Sequence, residues 1–70
     1  MRITATKLKS LWEENPNKMA QVLADTLRDF GYKGLTTAYV SGLITKHYAD
    51  EEPQGVIAMF IHEWLDKGIE

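Results

Sequence analysis

Apolar residues in this chain recur at spacings of three and four, and no segment alternates with a period of two. That pattern predicts helices rather than strands. Four segments carry it. Leu8, Leu11 and Trp12 form the stripe of a first helix over about 4–14, which Thr4 or Thr6 would cap. Met19, Leu23, Leu27 and Phe30 form the stripe of a second over about 16–30, with Val22 and Thr26 alongside. Val40, Leu43, Ile44 and His47 line a third over about 36–48. Ile57, Phe60, Ile61, Trp64 and Leu65 line a fourth over about 51–67.

The punctuation between these segments agrees with them. Asn15-Pro16 ends the first helix and starts the second, because the residue before a proline leaves the α region and proline suits the first helical position. Gly31 is placed as a left-handed cap on the second, followed by the turn "GYKG". Thr36 caps the third, and Leu35 and Val40 have the spacing of a hydrophobic staple. In the fourth, Asp50, Glu51 and Glu52 would make an acidic first turn that complements the helix dipole, with Pro53 tolerated there and Lys67 at the negative end. The run "VIAMFI" is apolar over more than one side of that helix, which predicts that it packs centrally against the other three. The expected fold is all-α: a compact bundle of four short helices forming one domain over residues 1–70.

Length and composition narrow the function. A chain of 70 residues has a small core, and it contains no cysteine. Disulfides, thiolate zinc sites and a cysteine nucleophile are therefore excluded. No apolar run approaches the ~20 residues of a membrane span. The opening "MRITATKLKS" lacks an apolar signal-peptide core, so a cytoplasmic protein is expected. Charge is unevenly divided: residues 1–49 carry seven Lys or Arg against four acids, and residues 50–70 carry Lys67 against six acids. Solvated helix faces are one reading of this, and a dipolar surface that steers a partner is the other.

The chemistry of a catalytic or metal site is missing from the sequence. His47 ends an apolar stripe and reads as a structural histidine. His62 and Asp66 are four apart and read as a solvated ion pair on the outer side of the last helix. "GYKG" lacks the features of a phosphate loop, and neither Ser10 nor Ser41 sits in a nucleophile motif. No enzyme activity, metal, cofactor or small-molecule substrate is expected.

The stretch "LTTAYVSGLITKHY" carries the functional question. Gly42 costs a helix roughly 1 kcal/mol relative to alanine. Ala38, Ser41, Gly42 and Thr45 point away from the apolar stripe, with Tyr39 at the edge. Such a face either receives another helix of the same chain or lies bare to receive a partner. The favoured expectation is a small adaptor or regulatory protein that binds another protein, or a second copy of itself, through Ala38, Tyr39, Ser41, Gly42 and Thr45.

The longer stretch "QVLADTLRDFGYKGLTTAYVSGLI" resembles a helix-turn-helix unit, with Ala24 in the first helix, Gly31 opening the turn and "TTAYVSGLI" starting a recognition helix. That resemblance implies DNA binding, with contacts from Lys33, Thr36, Thr37, Tyr39 and Lys46. The span from Ala24 to Val40 is longer than the compact motif. The third helix also holds no Arg, Asn or Gln, the usual readers of guanine and adenine.

Overall fold

The computed structural model describes residues 2–69. Four helices follow one another: α1 (Ala5–Glu14), α2 (Pro16–Asp29), α3 (Thr37–Tyr48) and α4 (Val56–Lys67). Each packs against its neighbours in the chain, and α4 closes onto α1. The bundle is thus a ring of four helices around one core.

Local chemistry sets where each helix begins. The Thr4 hydroxyl accepts the Lys7 amide at 3.2 Å, and the Thr36 hydroxyl accepts the Tyr39 amide at 3.1 Å. Asn15 serves two helices at once. Its amide donates to the Leu11 carbonyl at 2.7 Å, closing α1, while its Oδ1 accepts the Lys18 amide at 3.2 Å, opening α2. Pro16 follows at the first position of α2. One residue therefore makes the corner and satisfies a terminal backbone group of each helix.

The ends of α2 and α3 share a design. Tyr32 N–H donates to the Leu27 carbonyl and Gly31 N–H to Arg28, the paired bonds of a Schellman motif. At α3, Glu51 N–H donates to Lys46 and Asp50 N–H to His47 in the same pattern. Here the left-handed position, at φ 60°, is held by Asp50 rather than glycine. Short polar side chains tolerate that conformation better than most.

That second motif shifts the start of α4. The sequence places the helix start near Glu51, but α4 begins at Val56, with Gly55 at the cap. Asp50 turns the chain out of the helix, and Pro53 keeps Glu52 from the α region. Asp50, Glu51 and Glu52 therefore lie in the connection and do not complement the α4 dipole.

The core consists of Leu8, Met19, Ala20, Leu23, Ala24, Leu27, Val40, Leu43, Ile44, Ala58, Ile61, Trp64, Leu65 and Ile69. Leu8 is the buried residue of α1, so that helix is held largely by one side chain, with half-buried Leu11 and Trp12 beside it. Burying a leucine contributes about 1.5–3 kcal/mol. Phe30 departs from expectation. It extends the α2 stripe in sequence but is 64% exposed. As the cap residue it sits where the backbone turns away, and its ring lies over Phe60 and Trp64 at centroid distances of 6.5 and 6.2 Å. The position of α4 departs too. It packs on α1 and α3 rather than centrally, so Val56 and Met59 remain exposed.

The ends of the ring are joined by backbone. Ile3 and Ile69 exchange two hydrogen bonds of 2.7 Å in an antiparallel bridge. Gly68 makes this possible: it adopts φ 96°, and a Cβ on it would run into the backbone of Ile3, Thr4 and Ala5. No helix among the described residues is long and apolar enough to cross a membrane.

Two glycine substitutions should act in opposite directions. Gly68→Ala places a Cβ into the Ile3 carbonyl at a left-handed φ, and should lower the urea midpoint and break the bridge. Gly42→Ala meets nothing within 4 Å and should stabilise the protein by about 1 kcal/mol. Chemical denaturation of the two variants beside the parent checks both signs.

Candidate functional site

The α3 face singled out in the sequence is open. Ala38, Tyr39, Gly42 and Thr45 are exposed and Ser41 is half-buried. A Cβ built on Gly42 would meet no atom within 4 Å, so among the described residues no other segment crosses there. The Thr45 hydroxyl donates to the Ser41 carbonyl at 3.0 Å, back-bonding to its own helix.

Tyr39 connects this face to the rest of a continuous surface. Together with Lys46 it lines a groove between α3 and α4, whose far side is Ala58 and His62 and whose end is the connection at Glu51, Glu52 and Pro53. Pro53 and His62 also line a second groove, of about 600 Å³, along α4. There Val56, Met59 and Phe60 form an apolar floor, with Glu63 and Asp66 beside it. Phe60 in turn meets Phe30 at 6.5 Å. Val56, Met59 and Phe30 are 60%, 61% and 64% exposed, well beyond what a scattered surface apolar residue would suggest.

Residue spacing alone did not assemble this strip. The signal was the excess of apolar residues in "VIAMFI", more than one buried face requires. It was consistent with a central helix or an exposed strip, and only the packing of α4 decided between them.

The residues that the helix-turn-helix resemblance marks for DNA lie along α3 and in the connection before it. Lys33 lies in the connection before α3, and Lys46 lies in the last turn, beside the acids of the next connection. Thr36 spends its hydroxyl on the helix cap, and Thr37 is half-buried. Seven residues, 30–36, connect α2 to α3. The compact motif uses a turn of about three to four.

The histidines are paired, which the sequence did not suggest. His47 Nδ1 lies 3.0 Å from His62 Nδ1, and His47 Nε2 lies 3.5 Å from an Asp66 carboxylate oxygen. Asp66 therefore faces His47, not His62 as spacing along the helix implied. The carboxylate favours a proton on His47 Nε2, which leaves His47 Nδ1 to accept from His62 Nδ1–H. This contact ties the end of α3 to the middle of α4. The two partners of His47 lie at different ring nitrogens. Among the described residues, no three His, Cys, Asp or Glu side chains are placed to hold a metal ion.

Burial, first, and the facing His62 hold His47 below the ordinary histidine value of 6.5, against the opposing pull of Asp66 and Asp50. The folded value is the lower one, so the unfolded chain takes up protons first as pH falls through 6.5. Stability from neutral His47 is complete above that pH and is lost as pH drops toward the folded value. The urea midpoint should therefore fall from about pH 7.5 to about pH 5.5, and His47→Gln should reduce the fall. An equal fall in both proteins would remove His47 as its source.

Comparison with known protein families, with curated proteins and with solved structures finds no match to this chain.

Proposed function

We propose that the protein is a small non-catalytic adaptor or regulatory module that works by binding another protein. The observation that carries this reading is the continuous exposed surface from Tyr39, across the α3–α4 groove, to Val56, Met59, Phe60 and Phe30. Apolar side chains left in water, as Val56 and Met59 are, cost solubility, so a strip of them suits a partner. Methionine and tyrosine also suit docking: the first adapts its shape, and the second offers apolar area with a polar tip. The bare side of α3, with Ala38, Ser41, Gly42 and Thr45, adjoins this strip through Tyr39 and offers a place where a partner backbone comes close.

A helix-turn-helix DNA binder is the second reading. It draws on the α2–α3 pair and the open outer side of α3, but Lys46 faces Glu51 and Glu52 across the same groove. That charge arrangement weakens the phosphate attraction on which DNA affinity depends.

Two surface variants separate these readings. Met59→Asp and Gly42→Leu should leave the helical circular dichroism unchanged and weaken capture of the partner by about tenfold or more. Lys18→Asp, on α2, should not. If capture and sedimentation are the same for all three, the surface is not the contact. Binding to duplex DNA that falls steeply with salt would instead favour the second reading.

A further inference from the structure

We infer that the strip along α4 receives a basic amphipathic helix of another protein; this rests on the protein-binding reading above. Val56, Met59 and Phe60 are spaced i, i+3 and i+4, so exposed Val56 and Met59 form one stripe on α4 with half-buried Phe60 at its inner edge. A stripe of that period fits a partner helix with its own apolar anchors every three to four residues. One turn further on, Glu63 and Asp66 continue the same side, and both border the groove. Glu51 and Glu52 stand in the adjoining groove, which shares Pro53 and His62, with Lys46 across from them. Glu51, Glu52 and Glu63 form no ion pair among the described residues. Lys67 is the one cation in residues 50–70, against six acids. An apolar floor bordered by Glu63 and Asp66, with no Lys or Arg in its lining, complements Leu, Ile or Met anchors flanked by Lys or Arg.

A second copy is a poorer occupant: the stripe it leaves exposed is this same acid-bordered one, which brings no Lys or Arg flank of its own. An acidic helix would meet repulsion from Glu63 and Asp66.

The probe is a labelled amphipathic peptide of leucine and lysine about fourteen residues long, roughly four helical turns, with a twin in which glutamate replaces every lysine. Fluorescence anisotropy should show saturable binding of the lysine peptide that weakens as salt rises from about 50 to about 500 mM. Amide chemical shifts should move at Val56, Met59, Phe60 and Glu63. Met59→Asp should abolish binding, and Glu63→Lys with Asp66→Lys should weaken it by about tenfold or more. Glu13→Lys with Glu14→Lys changes net charge equally, at α1, and should weaken it far less. Equal losses from the two double variants would mean attraction to net charge alone and would overturn the proposal. If the glutamate twin binds the strip instead, the partner chemistry is wrong while the protein-binding reading stands. If neither peptide binds and sedimentation shows a dimer disrupted by Met59→Asp, the occupant is a second copy and the proposal falls. If nothing binds and Met59→Asp changes nothing, both the proposal and the reading beneath it fall.

Discussion

Two backbone hydrogen bonds between Ile3 and Ile69 join the entry to α1 with the exit from α4. They matter because α1 buries only Leu8 fully and is weakly held by its own side chains. A chain without disulfides has few other ways to keep its ends from fraying. The bridge needs backbone atoms to meet at van der Waals distance, so Gly68 has no Cβ there and adopts a conformation that other residues avoid. Once the ends meet, α4 lies against α1 on one side and α3 on the other. Its remaining face has no helix to cover it, and the exposed strip follows from that closure.

The corners are economical in the same way. Asn15 turns α1 into α2 alone, through two backbone groups and one side-chain oxygen. Asp50 turns α3 outward without a glycine. Among the described residues, no buried side-chain nitrogen or oxygen lacks a hydrogen-bond partner. The acidic residues after Asp50 are thereby moved off the α4 terminus and onto the border of the α3–α4 groove, where they give the surface its sign.

The functional reading draws on both consequences. Closure of the ring leaves an apolar strip, and the turn at Asp50 sets acids beside it. The His47–His62 contact lies between the two helices that form the groove, and His62 lines both of its parts. The same pair that fastens α3 to α4 thus helps shape the wall that a partner would meet.

Much of the architecture was legible in the order of residues. Helix type, number and most boundaries follow from three-and-four spacing, and Thr4, Asn15, Gly31 and Thr36 occupy the cap positions that their chemistry predicts. These are local interactions, made between residues a few positions apart, so a linear reading contains them. The outward placement of Gly42 belongs here too, because it follows from which side of α3 is greasy. The tertiary structure decided what depends on distant partners. The late start of α4 needed the α3 terminus to close first. The exposure of Phe30 and Val56 needed the ring geometry. The pairing of His47 with His62, and the bridge from Ile3 to Ile69, join residues whose proximity no local period encodes. Apolar periodicity says that a face wants burial, but only the assembled chain shows whether anything is there to bury it.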